Sequence, residues 1–243
     1  MSGPDYFHQL QQRIKAHPGK VVFDALRVYE MSKFILDGNS MQLRQLMCVL
    51  EDSEQSAKIL GVDRRSQLQW LFGDVNRHIH NFLTSITTLV DHTQNLMRED
   101  FIKPEHRQEY QLKVKNVFAT DPLAQFLQDF RNYMTHYAVP QIGLEKRFGS
   151  TETDAEPGKV YIDLDHLETT FHWSSPSRRF IEANSPKIRM LTLVDDYGLK
   201  LKNFYDELMS TFQSHLGREL HEVRSMMQES NDLWEKMIGV KHG

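Results

Sequence analysis

The chain has 243 residues, a formal net charge of −4 and a mean hydropathy of −0.54. This length suffices for one helical domain with a sizeable core, and the ordinary composition is typical of a soluble globular protein. The acidic balance argues against non-specific coating of nucleic acid, which depends on many lysine and arginine contacts with phosphates, and the lack of a long apolar run excludes a membrane-spanning segment.

The cysteine content and the first residues of the sequence predict the cellular compartment. Cys48 is the only cysteine, so no intrachain disulfide can form, and its apolar neighbours predict a buried side chain. The polar stretch at residues 1–5 contains no recognisable signal peptide. We therefore expect a protein of the reducing cytoplasm.

Residues 1–60 predict an N-terminal helical extension of two or three helices, packed on the main bundle or serving a partner. The sequence His-Pro-Gly at 17–19 ends the first helix, and the sequence Asp-Gly-Asn-Ser at 37–40 separates the next two. This portion carries no catalytic motif. We assign the main bundle to residues 61–243.

A long helix is predicted from about Arg65 to Arg98, where apolar side chains keep helical spacing for many turns. On its polar side, Asn76 and His80 are candidates to line a substrate cleft. A metal site is not predicted here, because His78 and His80 project about 200° apart on a helix and no His-x-x-x-His pair is present.

Two further helices are predicted between residues 104 and 138. Pro104 opens one that reaches about Phe118, and a short turn leads into a second, antiparallel helix. Asp121 is a good N-cap for the second helix, Pro122 suits its first position, and Pro140 ends it by about residue 138. We call this second helix the motif helix.

The motif helix has an apolar stripe and a polar stripe. Residues on its apolar stripe recur at three- and four-residue spacing and are Leu123, Phe126, Leu127, Phe130, Tyr133, Met134 and Tyr137. Asp129, Asn132 and His136 form the polar stripe, with Arg131 at the edge between the two. Asn132 and His136 are one turn apart, so their side chains can meet.

These polar residues suit phosphodiester cleavage. Histidine gives or takes a proton near neutral pH, arginine offers a planar fork of donors to phosphate, and asparagine both donates and accepts. Attack by a ribose 2′-OH on its own phosphate needs a proton acceptor, a proton donor for the leaving oxygen and a positive group, but no metal. A solvated or interface face is the alternative that the same spacing allows.

Beyond the motif helix, the pattern changes at Pro140. Residues 141–148 and 159–164 predict two short strands, so a small β-hairpin is expected around 141–164. Residues 164–180 predict one or two short helices that are broken at 174–176. Two C-terminal helices follow. The first, from about 186 to 216, has a continuous apolar stripe and is assigned to the main bundle, and the second, from about 217 to 238, docks on the bundle or supplies a dimer surface.

Arg131-Asn132-x-x-x-His136 resembles the signature of the HEPN superfamily, in which an arginine, often followed by a polar residue, precedes a histidine by four to six residues. The string Arg-Asn-Tyr-x-x-His-Tyr with Pro140 is similar to a bacterial HEPN-like subgroup, as is the segment 76–93. The resemblance covers most of residues 60–216. It implies a helical bundle that pairs as a dimer with one composite cleft. Many members are metal-independent endoribonucleases, whereas others act as binding or scaffold modules.

The expected fold is all-α, an antiparallel HEPN-like bundle with a small β-hairpin and peripheral N- and C-terminal helices. The expected activity is metal-independent RNA cleavage without a cofactor, in a toxin or defence role. His136 is assigned as general acid or base, Arg131 as the phosphate-binding group, and Asn132 as the group that orients His136 or contacts the ribose. Tyr133 and Tyr137 either support the helix from the core or stack on a base.

The expected partners are a second copy of the chain, RNA as substrate, and a protein partner such as an antitoxin, with no membrane. One motif supplies a single histidine, so the acid and the base come from His136 of each subunit in the composite site. Two other interpretations stay open. In one, the same cleft binds a nucleotide, RNA or a protein without catalysis; in the other, the polar cluster only fixes the dimer register.

Overall fold

The computed structural model describes residues 3–59, 65–145 and 158–239. Within these ranges the chain is an all-α bundle with a small antiparallel sheet, as the sequence predicts. The helices are α1 (Gly3–Ala16), α2 (Pro18–Glu51), α3 (Ser53–Ile59), α4 (Arg65–Arg98), α5 (Pro104–Val114), α6 (Pro122–His136), α7 (Ser175–Asn184) and α8 (Met190–Ile238). The strands are β1 (Ile142–Glu145), β2 (Lys159–Asp163) and β3 (Lys187–Arg189).

The predicted break between α1 and α2 is confirmed, and His17 is the N-cap that starts α2. The Nδ1 atom of His17 accepts a hydrogen bond from the backbone N–H of Gly19 at 3.0 Å, and Pro18 occupies the first helical position of α2. Gly19 also allows close packing, since a Cβ there would lie 2.3 Å from the backbone oxygen of Glu219 in α8. The start of α2 is therefore fixed against α8.

The predicted break at residues 37–40 is wrong, because α2 continues through them without interruption. Leu36 and Leu43 are buried on either side of this segment. Asn39 donates a hydrogen bond from Nδ2 to the backbone oxygen of Asn81 in α4 at 3.4 Å. Packing against α4 thus outweighs the low helix propensity of the Gly-Asn pair.

One hydrophobic core unites α2, α4, α6, α8 and the sheet. Helix α4 has the bounds that the periodicity predicts, and it packs along α2. Leu43, Phe82 and Phe126, from three different helices, are almost fully buried in this core. Helix α2 therefore belongs to the central packing, and the proposed domain division at residue 60 stays a prediction.

The last two predicted helices are a single helix, α8, which runs unbroken through Gly217. Its second half carries a separate small core, in which Leu10 and Ile14 of α1 pack with Val223. This packing keeps the helix continuous, because both sides of Gly217 have apolar residues to bury. The peripheral N- and C-terminal helices of the sequence analysis thus pack on each other.

The β-hairpin is confirmed, and a third strand extends it. Strand β1 pairs antiparallel with β2, with Ile142 opposite Ile162, and β2 pairs antiparallel with β3, with Ile162 opposite Ile188. Strand β3 has only three residues and directly precedes α8, so it lacks the length of a recognisable strand pattern. The part of the hairpin at residues 146–157 lies outside the described residues.

Residues 174–176 begin a helix and do not interrupt one. Ser174 is the N-cap of α7, and its hydroxyl accepts a hydrogen bond from the N–H of Ser177 at 3.4 Å. Pro176 lies in the first turn, where the absence of an N–H costs little. The Ser-Ser-Pro sequence is therefore a start signal.

Cys48 is exposed, and the prediction that its thiol is buried is wrong. The neighbouring Met47 and Leu50 face the core, whereas the helical rotation turns Cys48 away from it. Among the described residues, no helix combines the length and the apolar character needed to cross a membrane.

A buried carboxylate joins the end of α2 to the sheet. Glu51 is 6% exposed, and its Oε1 accepts hydrogen bonds from the N–H of Val160 and from Nε of Arg189, both at 3.1 Å. A second bond links Arg189 to Oε2 of Glu51. The hydrogen bond to Glu51 raises the pKa of Arg189. The carboxylate thus anchors both β2 and β3.

Replacing Glu51 with Gln is expected to lower the free energy of unfolding by about 1–3 kcal/mol, because the N–H of Val160 and two guanidinium nitrogens of Arg189 lose their charged acceptor. Urea unfolding followed by circular dichroism measures this change. Glu182→Gln, at an exposed position of α7, is the matched control and should shift the unfolding free energy by less than about 0.5 kcal/mol. Equal effects of the two substitutions would contradict the anchoring role of Glu51.

Candidate active site on helix α6

The start of α6 is fixed by the residues that the sequence analysis identified. The Oδ1 atom of Asp121 accepts a hydrogen bond from the N–H of Ala124 at 2.8 Å, and Pro122 is the first helical residue. The other carboxylate oxygen of Asp121 pairs with Lys200 of α8. The helix ends at His136, and the chain then reaches the buried Pro140.

The buried side of α6 is a layer of stacked aromatic rings. The ring of Phe126 stacks on those of Phe130 and Trp173 at centroid distances of 5.2 and 5.9 Å. Tyr133 stacks on Trp173 at 5.4 Å and meets Phe171 edge-on at 5.3 Å. Trp173 is 6% exposed, so it is a packing residue. This layer fixes the rotation of α6 about its axis.

Asp129 holds α6 to α7. Its Oδ2 accepts a hydrogen bond from the N–H of Ser174 at 2.8 Å and another from the hydroxyl of Ser177 at 2.6 Å. The sequence pattern places Asp129 on the polar stripe with Asn132 and His136, but its contacts are structural. Sequence reasoning missed this role because the partner serines lie about 45 residues further along the chain.

Arg131 and Asn132 form a joined pair on the side of α6. The guanidinium of Arg131 donates from one terminal nitrogen to Oδ1 of Asn132 at 3.1 Å. Both residues are half-buried. The Nε atom of Arg131 is buried and has no hydrogen-bond partner among the described residues. The second terminal nitrogen of Arg131 forms no hydrogen bond to a described residue, so it retains donor capacity for an anionic ligand.

His136 lies in the last turn of α6, and its side chain is exposed. In the described parts of the chain, no hydrogen bond joins its imidazole to Arg131 or Asn132. The nearby hydroxyl of Thr135 is occupied, since it donates to the backbone oxygen of Arg131 at 2.8 Å. The imidazole of His136 is thus open to solvent.

The two tyrosines of the motif have different surroundings. Tyr133 is 2% exposed and its ring is covered by the aromatic layer, so it supports the helix from the core. Burial raises the pKa of its hydroxyl. Tyr137 is 50% exposed, and its hydroxyl forms a hydrogen bond with that of Thr170. Of the two, only Tyr137 presents a ring to solvent.

Asn76 and His80 lie on α4, which packs against α6. Asn76 donates from Nδ2 to the backbone oxygen of Phe72 at 3.1 Å, whereas its Oδ1 is buried without a partner in the described chain. His80 is half-buried. No hydrogen bond within the described ranges links either residue to Arg131 or His136.

A cavity of about 370 Å³ lies beside the first half of α6, and none of the predicted site residues lines it. Its lining from α6 consists of Ala124, Gln125, Leu127 and Gln128, which precede the Arg131 and Asn132 pair. Across the described residues, no group of three His, Cys, Asp or Glu side chains is arranged to hold a metal ion. The motif and the cavity are therefore separate features of one helix.

Comparisons of this chain with known protein families, with curated proteins and with solved structures found no match. The structure agrees with an all-α bundle that carries a small sheet. The HEPN interpretation depends on the motif residues of α6 and stays a prediction.

Replacing Asp129 with Ala is expected to lower the free energy of unfolding by about 1–3 kcal/mol, because the N–H of Ser174 and the hydroxyl of Ser177 lose a charged acceptor. Thermal and urea unfolding measure the loss. The matched control is Asp100→Ala, which removes an exposed carboxylate between α4 and α5. If both variants are as stable as the parent protein, Asp129 does not hold α7 to α6.

Proposed function

We propose that the chain is a metal-independent endoribonuclease of HEPN type and that the polar side of α6 is its active site. The observation that carries the proposal is the arrangement of three side chains on one rigid helix. Arg131 and Asn132 are joined at 3.1 Å, and His136 stands exposed at the end of the same helix. The proposed setting is the cytoplasm, in a toxin or defence role.

Arg131 is the proposed phosphate-binding group. The second terminal nitrogen of its guanidinium forms no hydrogen bond in the described chain, and the planar fork matches two phosphate oxygens. Holding Arg131 against Asn132 reduces the number of side-chain conformations that must be ordered when RNA binds. Asn132 is therefore a positioning residue for Arg131 in this proposal.

His136 is the proposed proton-transfer group. The ribose 2′-oxygen attacks the adjacent phosphorus while a base removes its proton, and the bond from phosphorus to the 5′-oxygen breaks as an acid protonates that oxygen. The products carry a 2′,3′-cyclic phosphate and a 5′-OH. An exposed imidazole can approach such a phosphate, and Arg131 neutralises the charge that develops on it.

One chain supplies one motif histidine, whereas the reaction needs both a base and an acid. We propose that two copies of the chain pair with their α6 helices facing each other, so that His136 of each copy serves one role. The exposed positions of His136 and Tyr137 support this pairing, since both side chains are available to a second copy. Such a two-fold arrangement is typical of homodimers.

The direct test is incubation of the purified protein with mixed RNAs in EDTA. The parent protein should release fragments with 2′,3′-cyclic phosphate and 5′-OH ends, and His136→Ala should reduce the rate by about 100-fold or more, the usual contribution of a general acid or base. The matched control is His221→Ala, an exposed histidine of α8, which should leave the rate unchanged.

Two results would contradict catalysis by His136. One is cleavage that His136→Ala and His221→Ala leave equally intact. The other is RNA binding without cleavage that Arg131→Ala abolishes and His136→Ala preserves, which would favour a non-catalytic binding module on the same side of α6.

Heterodimers test the composite site. A dimer carrying one parent subunit and one His136→Ala subunit, isolated with two different tags, should be almost inactive if both histidines are needed. If each motif acts alone, it should keep about half the parent rate, because a symmetric dimer then has two independent sites. A heterodimer with one His221→Ala subunit is the control. A fully active monomer in analytical ultracentrifugation would also contradict the composite site.

A further inference from the structure

The cavity beside α6 is enclosed by four helices and a turn of π-helix. Its walls come from α4, α5, α6, α8 and the π-helical residues Lys115–Ala119, and its volume is about 370 Å³. This volume is within the range of small-molecule sites, which begins at about 300 Å³. Turns of π-helix occur frequently at functional sites. The cavity is therefore large enough for one small molecule.

Aromatic rings dominate one side of the cavity. Phe118 of the π-helical turn meets the ring of Phe204 edge-on at 5.0 Å and that of Tyr197 at 6.3 Å. Tyr110 lies 6.0 Å from Phe204 in a tilted arrangement. Aromatic walls of this kind favour a flat aromatic guest, which gains offset or edge-to-face contacts in addition to apolar burial.

Two tyrosines in this wall carry hydroxyls without a hydrogen-bond partner among the described residues. Tyr110 and Tyr197 are 8% and 5% exposed, and neither hydroxyl is hydrogen-bonded to a described residue. Burial raises the pKa of Tyr110 to about 12 and also raises that of Tyr197, so both hydroxyls stay protonated at neutral pH. Each hydroxyl can both donate and accept a hydrogen bond, so the two are available to a guest that does either.

The polar lining favours a guest that is neutral or positively charged. Asp91 is the only charged residue among the described side chains that line the cavity, and it is exposed without an ion-pair partner in the described chain. Gln94 and Gln128 add amide groups. The amide of Gln125 is partly occupied, because its Nε2 donates to the backbone oxygen of Phe118 at 3.2 Å. An anionic guest would meet repulsion from Asp91.

We propose that this cavity is a binding site for a neutral or cationic planar aromatic molecule of one or two rings. The ring lies against Phe118, Tyr197 and Phe204, its polar edge contacts the tyrosine hydroxyls of the wall, and a positive group pairs with Asp91. The site shares no residue with Arg131, Asn132 or His136, so it is independent of the proposed RNA cleavage.

The test uses three probes with the same indole ring and different charge: tryptamine, indole and indole-3-acetate. Saturation-transfer NMR titrations of the full chain should show saturable binding, with tryptamine binding about 3- to 10-fold more tightly than indole-3-acetate because of one partly screened charge. Asp91→Asn should remove most of this difference. Absence of saturable binding for all three probes, or tighter binding of the anion, would overturn the proposal.

Substitutions that block the mouth of the cavity test whether tryptamine binds inside it. Ala119 is exposed and lines the cavity, so Ala119→Trp should fill the mouth and reduce tryptamine binding at least 10-fold. Gln128→Trp provides a second plug from α6, should the first variant fail to fold. Ala183→Trp, at an exposed position of α7, is the matched control. Folded plug variants that bind like the control would show that tryptamine binds elsewhere and would overturn the proposal.

Discussion

The aromatic side of α6 must be buried, and this constraint decides where the motif residues point. A buried aromatic side chain removes about 150–250 Å² from water, which is worth roughly 4–6 kcal/mol at 25 cal/mol per Å². Phe126, Phe130 and Tyr133 are all at most 2% exposed. Their burial outweighs the cost of about 1–3 kcal/mol for leaving the Nε atom of Arg131 without a partner. The helix therefore holds Arg131 and its neighbours in a fixed rotation.

The two ends of α6 carry different chemistry because different elements surround them. The first turns face α4, α5 and α8, whose aromatic rings enclose the cavity. The later turns pack through Asp129 and Tyr133 on α7 and the segment before it, and there Arg131 and Asn132 lie at the side and His136 at the exposed end. The cavity and the polar side of α6 therefore share no residue.

The rest of the fold supports this helix from both sides. Lys200 of α8 pairs with the capping residue Asp121, which fixes the start of α6. On the other side, Glu51 binds β2 and β3 to the end of α2 and so positions the sheet that leads into α8. Each of these contacts joins residues far apart in sequence. The geometry of α6 is therefore a property of the whole bundle.

Local signals in the sequence determined the helical class, the bounds of α4 and the capped start of α6, because caps, prolines and apolar spacing act over a few residues. Tertiary contacts decided the rest. Packing keeps α2 helical through Gly38 and α8 helical through Gly217. It also pairs the three-residue strand β3 with β2. The motif residues can be recognised in the sequence. The sequence does not show which of them are hydrogen-bonded, because helical spacing predicts proximity only. In the described chain, Arg131 bonds to Asn132, and His136 bonds to neither. The cavity could not be predicted from the sequence, because its walls come from segments more than 100 residues apart.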